Sequence, residues 1–219
     1  MKKMTVFLLL AFALPLAAHF LQRREPPMPE VKILPLVSND TALIIVRAAE
    51  LQTYYTHSYD PSYKRLAYPG GDVPSDRGVC SDVVVRAFRA TGIDLQKDVH
   101  EDMRRSFSAY PNNWGLSRPD PNIDHRRVAN LMTFFERRGC ALGITRDPGR
   151  FLPGDVVAWR LDNGRLHIGI VDSAATERRT RYLVLHNIGD GVQREDILFR
   201  WEIIGHYRYY RGRTNDMPR

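Results

Sequence analysis

The hydrophobic pattern of the chain changes its period near residue 150. Before this point, apolar residues recur every three or four positions in segments that begin near Ser, Asn or Asp and stop near Gly, which is typical of amphipathic helices. After it come three short runs of β-forming residues bounded by turns: Asp155–Trp159, Leu166–Asp172 and Tyr182–Ile188. Helices followed by a meandering sheet predict an α+β domain in which N-terminal helices pack on an antiparallel β-sheet.

Four helices are predicted in the first part of the chain. The first begins at the capping residues 38–40 and continues to about Tyr55, with apolar positions at Leu43, Val46 and Leu51. The second ends before Gly92, a favourable residue for closing a helix. The second, third and fourth helices are expected over Val79–Ala90, Asp98–Arg105 and Asp124–Arg138, and a last strand from Phe199 or Trp201 through Tyr210.

The two ends of the chain differ from its middle. Residues 1–18 carry two lysines, Lys2 and Lys3, and continue as an apolar run with small residues near its end. This pattern is typical of a secretory signal peptide. The run is shorter than the roughly 20 residues of a membrane-spanning helix, but retention as an N-terminal membrane anchor stays open. Residues 19–37 hold four prolines and predict an extended linker. We therefore expect an exported, periplasmic or cell-envelope protein with one folded domain over residues 38–212 and a tail over residues 213–219.

The charge of the chain is positive but dispersed. Removing residues 1–18 takes away two lysines and no acid, so the formal charge falls from +7 to +5. The arginine pairs are scattered along the sequence, which indicates a solvated basic surface rather than a nucleic-acid site. No histidine or cysteine spacing matches a zinc site. We expect a monomer that binds no nucleic acid and no metal and needs no cofactor.

The stretch "DRGVCSDVVV" places Cys80 in the first turn of the second predicted helix. Cys80 lies on the apolar stripe that also holds Val83 and Val84, and a free cysteine on such a face is often part of the core. A helix N-terminus, however, lowers the pKa of a thiol and favours the nucleophilic thiolate. A disulfide with Cys140 is a third reading, although a domain of this size does not need one. The position of Cys80 alone does not decide between a core residue and a nucleophile.

Two histidines favour the interpretation of Cys80 as a nucleophile. A catalytic cysteine needs a base and a group that orients the base. Of the seven histidines, His167 and His186 lie within apolar strands, where an imidazole is costly unless it is hydrogen-bonded. If paired residues have numbers that sum to 353, His167 faces His186 on one side of the sheet. A slip of one residue would bring Asn187 opposite His167 instead.

Four motifs together resemble a known family. "VCSD" at a helix start, "LPGDVVAW", "LHIGIVD" and "YLVLHN" resemble the NlpC-type papain-like cysteine peptidases of bacterial cell walls. The resemblance covers roughly Ser38 to Arg211 and is closer still to an uncharacterised bacterial domain family of that superfamily. It implies a papain-like fold, a catalytic triad, and an active-site tyrosine at Tyr68. In the implied triad the nucleophile, the base and the third residue are Cys80, His167 and His186.

The resemblance implies an exported thiol hydrolase that cleaves amide bonds in peptidoglycan peptides through an acyl-enzyme. Two alternatives stay open. The first is a catalytically silent module of the same fold that binds wall peptides or a partner protein. The second is an acyltransferase or amidase that uses the same triad.

The sequence departs from the family pattern around the cysteine. Asp82 replaces a small residue, and a carboxylate there would either repel a thiolate or select a cationic group such as a substrate amine. Asp76 and Arg77 either contact charged groups of a substrate or form a local ion pair. Asp155 is expected to bond the backbone of its own turn, and Cys140 is expected to be a buried thiol.

Overall fold

The helices and strands follow the order that the hydrophobic periods predict. The computed structural model describes residues 40–210. The predicted signal segment (residues 1–18), linker (residues 19–37) and C-terminal tail (residues 213–219) lie outside these residues. Among the described residues, no helix is long and apolar enough to cross a membrane.

All four predicted helices are present. They are α1 (Asp40–Leu51), α2 (Cys80–Arg89), α3 (Leu95–Ser106) and α4 (Val128–Arg137). Helix α3 begins earlier than predicted because the Asp94 side chain accepts hydrogen bonds from the backbone N–H groups of Gln96 and Lys97. The predicted start of α4 is a separate 3-10 turn, Asp124–Arg126.

The buried face of α1 differs from the prediction. Leu43 and Leu51 are each 45% exposed, so two of the three predicted apolar positions do not face the core. The buried residues of this helix are Ala42, Ile45, Val46 and Ala49. Small residues on this face let α1 lie close to the neighbouring α2.

The main sheet has five antiparallel strands in the order β6-β5-β4-β3-β7. Its strands are β3 (Val156–Arg160), β4 (Leu166–Ala175), β5 (Tyr182–Asn187), β6 (Val192–Glu195) and β7 (Glu202–Tyr207). The sequence analysis missed β6. It also missed a short parallel pair in the predicted loop, formed by β1 (Ser58–Tyr59) and β2 (Arg77–Gly78).

Both faces of the sheet are covered. Alternate residues of a strand point to opposite faces, so Ile168 and Ile170 of β4 pack with the helices while Val171 faces a second core. The second core also contains Trp159 and Val184. This two-sided burial explains why the central strands are nearly continuous apolar runs.

Hydrogen bonds connect the end of the sheet at which β4 begins to the segment just before α2. The side-chain amide of Asn187, the last residue of β5, donates to the backbone carbonyls of Ser58 (3.2 Å) and Gly78 (3.0 Å). Gly78 lies two residues before Cys80. These bonds hold the N-terminus of α2 at the end of β5, so the cysteine helix and the two histidine strands converge there.

Candidate active site

Cys80 occupies the first turn of α2 and its side chain is only 3% exposed. The backbone amides of Ile168, Ser81 and Cys80 itself act to lower the pKa of its thiol. Ile168 directly follows His167 in β4. The thiol therefore contacts the strand that carries the predicted base, and it lies among the free donors of a helix N-terminus.

The thiol is not activated in this state. Burial is the largest influence and, together with the Asp82 carboxylate, it raises the pKa of Cys80 to about 11, although the three backbone donors act in the opposite direction. The expectation that the helix N-terminus favours a thiolate is therefore wrong for this state. The reason is that desolvation of a charged sulfur outweighs the helix-end donors.

His167 and His186 form a buried pair. Nε2 of His167 lies 3.0 Å from Nδ1 of His186, and the two rings meet edge to face. The His167 ring also lies near the indole rings of Trp159 and Trp201. Burial, followed by the neighbouring His186, lowers the pKa of His167 to about 3. The imidazole is therefore neutral at physiological pH.

The predicted register of β4 and β5 is wrong by two residues. Ile170 pairs with Leu185 and Val171 with Val184, and the register shifts again at an irregularity before Ala175. A shift of two keeps every side chain on its predicted face, because side chains alternate with a period of two. His167 and His186 therefore share a face as predicted, but they meet diagonally and not directly opposite each other.

Cys80 and His167 approach β4 from different sides. The Cys80 side chain packs in the core on the helix side, together with Ile168. The His167 ring lies against Trp159, which belongs to the core on the other side. Ile168, the residue of β4 that shares a core with Cys80, directly follows His167 in the strand.

Glu195 is a site residue that the sequence analysis missed. Its Oε2 lies 2.9 Å from Nε2 of His186, without the alignment of a regular hydrogen bond. Burial is the largest influence on His186 and lowers its pKa, whereas Glu195 acts to raise it and Arg200 to lower it. Glu195 lies on β6, the strand that was not predicted. The available signal was the turn "GDG" at residues 189–191 directly after a strand, which is typical of a hairpin.

Tyr59 is the tyrosine next to the nucleophile position. Burial, followed by the neighbouring Cys80 thiol, raises the pKa of its phenol. The sequence analysis assigned the flanking tyrosine to Tyr68, which instead packs edge-on against His100 with ring centroids 5.1 Å apart. Tyr59 is carried by the parallel β1–β2 pair, which has too few residues to produce a sequence pattern.

Asp82 does not face a substrate. Its side chain is 3% exposed and its carboxylate pairs with Arg126, whose Nη2 lies 2.9 Å from Oδ2. The same oxygen accepts a hydrogen bond from the backbone N–H of Val79. Arg126 also donates to the carbonyls of Asp60 and Ser62, so the ion pair joins the start of α2 to the loop after β1. The predicted repulsion of a thiolate agrees with the direction in which Asp82 shifts the pKa of Cys80, whereas the predicted selection of a cationic group gives way to the buried ion pair with Arg126.

The remaining predicted residues make structural contacts within the protein. Asp76 and Arg77 form an exposed ion pair at 2.8 Å. Asn187 bonds backbone carbonyls and not His167. The Asp155 carboxylate accepts from the Leu152 N–H as predicted.

The two cysteines are free thiols. Cys140 is half-buried and not fully buried as predicted, and its Sγ lies 3.5 Å from the carbonyl oxygen of Arg138. Burial raises the pKa of Cys140. Its surroundings thus differ from those of Cys80, which contacts β4 and Tyr59.

Comparison with known sequences places the chain among proteins of undetermined role. A family described as "Domain of unknown function (DUF1287)" matches residues 46–209. The chain belongs to this family. It is 50% identical over 187 residues to "Uncharacterized protein YijF" from Escherichia coli (strain K12), which covers 85% of this chain and 90% of that relative.

One solved structure with a similar arrangement is that of NlpC1 from Trichomonas vaginalis. The TM-score is 0.40 at 17% identity. The match covers 81% of this chain and 46% of that chain, so this protein spans about half the length of NlpC1.

In this DUF1287 member, the site combines three chemical elements. A thiol lies at a helix N-terminus among backbone donors. A pair of neutral imidazoles lies on β4, the strand that packs against the thiol, and on the adjacent β5. A carboxylate lies beside the outer imidazole.

Proposed function

We propose that this protein is a thiol hydrolase that cleaves amide bonds, with Cys80, His167 and His186 arranged as in papain-like enzymes. The observation that carries the proposal is the 3.0 Å contact between His167 and His186, together with the packing of Cys80 in the same core as Ile168, the residue that follows His167 in β4. Two buried imidazoles are costly in a protein core. A catalytic proton relay would account for two such imidazoles in the core.

The proposed reaction begins from a neutral thiol and a neutral imidazole. As sulfur attacks the amide carbonyl, its proton passes to Nδ1 of His167, and an S–C bond forms while the carbonyl oxygen becomes an oxyanion. His167 then gives this proton to the leaving nitrogen, and the C–N bond breaks. A water molecule, deprotonated by His167, attacks the thioester; a carboxylic acid is released and the proton returns to sulfur.

The start of α2 would stabilise the oxyanion. The N–H groups of Cys80 and Ser81 belong to the first turn of α2 and act to lower the pKa of the thiol, so they are the nearest backbone donors for a carbonyl that the sulfur attacks. Preorganised backbone donors of this kind lower the barrier because they need no rearrangement during the reaction.

The proposed substrates are peptides of the bacterial cell wall, reached by export of the protein. Support comes from the four sequence motifs, from the signal-like residues 1–18, and from the formal charge of +5 that remains without them. A positively charged protein is attracted to anionic wall polymers. This part of the proposal rests on sequence alone.

The test compares two single-cysteine variants on purified sacculi. Cys80→Ala is expected to abolish release of peptide fragments, measured by mass spectrometry, while circular dichroism stays that of the wild type. Cys140→Ala is the matched control and should keep full activity, because Cys140 lies away from the histidine pair. Fragment release by folded Cys80→Ala would overturn the mechanism.

A binding module is the second candidate, and one observation favours it. Burial raises the pKa of Cys80 to about 11, and Tyr59 is a neighbour of its thiol, so the thiol is neutral and shielded from solvent. A protein that only holds wall peptides would bind sacculi equally well as wild type and as Cys80→Ala, with no fragments released by either. Wild-type hydrolysis would exclude this candidate.

A further inference from the structure

Glu195 lies at the outer end of the histidine pair. In the register of β5 and β6, Val184 pairs with Glu195 and His186 pairs with Gln193. Glu195 is thus the diagonal neighbour of His186, and side chains at this spacing on one face are within reach of each other. Its Oε2 lies 2.9 Å from Nε2 of His186, and its side chain is 42% exposed.

This contact selects one tautomer of His186. A neutral imidazole carries hydrogen on one nitrogen and a lone pair on the other, whereas an ionised carboxylate can only accept. At 2.9 Å the carboxylate attracts a hydrogen on Nε2 electrostatically, although the contact lacks the alignment of a regular hydrogen bond, while a lone pair there would be repelled by it. The Nε2–H form leaves Nδ1 of His186 as an acceptor.

The tautomer of His186 then determines that of His167. Nδ1 of His186 lies 3.0 Å from Nε2 of His167, so an acceptor at Nδ1 requires hydrogen on that Nε2. The lone pair of His167 is thereby placed on Nδ1. This is the nitrogen that the proposed mechanism uses to take the proton from Cys80.

We infer that Glu195 is a positioning residue, whose carboxylate orients both imidazoles through His186 and leaves Nδ1 of His167 free to act as the base. This inference deepens the proposed hydrolase function and rests on it. Arg200 also acts electrostatically on His186, with the opposite sign. Because Glu195 is partly exposed, its effect is smaller than that of a fully buried orienting carboxylate.

The tautomers can be measured directly by ¹⁵N NMR of the full chain with labelled histidine, with signals assigned from single His→Gln variants. We expect the wild type to carry hydrogen on Nε2 of both His167 and His186. In Glu195→Ala, His186 should lose this preference, whereas Glu195→Gln should keep it because the amide oxygen still accepts. Glu202→Ala is the matched control, since Glu202 is an exposed carboxylate of β7 that pairs with Arg160.

Hydrolysis of sacculi by the same variants provides the second readout. We expect kcat/KM to fall at least about tenfold in Glu195→Ala and to recover substantially in Glu195→Gln. A wild type with hydrogen on Nδ1 of His186, or unchanged tautomers in Glu195→Ala, would overturn the inference whatever the activity. A shift of tautomer in a protein that hydrolyses nothing would support the role of Glu195 and contradict the hydrolase proposal alone.

Discussion

Nε2 of His167 lies 3.0 Å from Nδ1 of His186 although the two residues are not paired across β4 and β5. Continuing the observed register places Gly169 opposite His186. A Cβ atom on Gly169 would lie 3.1 Å from Cβ of His186 and 3.0 Å from the Leu185 carbonyl oxygen. The missing side chain at Gly169 thus provides the room in which the His186 ring leans along the sheet towards His167.

Replacing Gly169 by alanine should disturb the histidine pair. The added methyl group would also lie 2.9 Å from Cγ1 of Val184, and the backbone atoms around it cannot move independently of the sheet. We expect a loss of about 1–3 kcal/mol in the free energy of unfolding, measured in urea. We also expect a change in the ¹⁵N shifts of both histidines. Gly143→Ala is the control, because a Cβ there meets no atom within 4 Å; equal stability of the two variants would contradict this account of Gly169.

The reactivity of Cys80 should reveal its raised pKa. In a Cys140→Ala background, the rate of alkylation by iodoacetamide is expected to keep rising between pH 8 and pH 10, because the thiolate fraction grows until the pH passes about 11. At pH 8 the rate should be at least about tenfold below that of a cysteine in a short peptide, whose pKa is about 8.5. A rate that levels off below pH 7 would instead indicate a thiolate–imidazolium pair in the free protein.

The ion pair of Asp82 with Arg126 should be important for stability and not for substrate choice. Asp82→Asn leaves the Arg126 guanidinium, whose side chain is 1% exposed, without its counter-charge. We expect a loss of about 3–5 kcal/mol in the free energy of unfolding. Glu202→Gln, which breaks the exposed pair with Arg160, should change it by less than about 1 kcal/mol. A stable Asp82→Asn protein with an altered preference for cationic substrates would restore the role predicted from sequence.

Acid should destabilise the domain through its buried histidines. Burial lowers the pKa of His125 to about 4 and that of His167 to about 3, from 6.5 in the unfolded chain. The unfolded state therefore binds more protons between pH 6.5 and these values, so stability falls as the pH falls through this range and is constant above it. At pH 5 each imidazole should cost about 2 kcal/mol relative to pH 8.

Urea unfolding at pH 8 and pH 5 measures this loss. His125→Gln removes one titrating group without touching the candidate site, so the difference between the two pH values should shrink by about 2 kcal/mol in that variant. An unchanged pH dependence would mean that His125 ionises in the folded protein.

Much of the architecture could be predicted from the sequence. The four helices, the three central strands and the last strand follow from hydrophobic period and from capping residues, which are local properties. The pairing of His167 with His186 on one face also follows, because a register error of two residues does not change the face of a side chain. Strand β6 was missed because its four residues hold one buried apolar side chain, too few to show a period.

The details of the site depend on contacts between distant parts of the chain. Tyr59 reaches Cys80 through a two-residue parallel pair, and Glu195 reaches His186 across an edge strand. Asp82 looks like a free acid in sequence, and only Arg126, 44 positions later, shows that it is neutralised.

The sequence by itself determined the candidate groups of the proposed site: one cysteine at a helix start and two histidines in apolar strands. Only the tertiary structure decided their ionisation and their partners. Burial keeps the thiol and the imidazoles neutral, against the tendency of the helix end to favour a thiolate. The physical reason is that desolvation depends on everything packed around a group, whereas a helix end or a strand period is visible within a few residues.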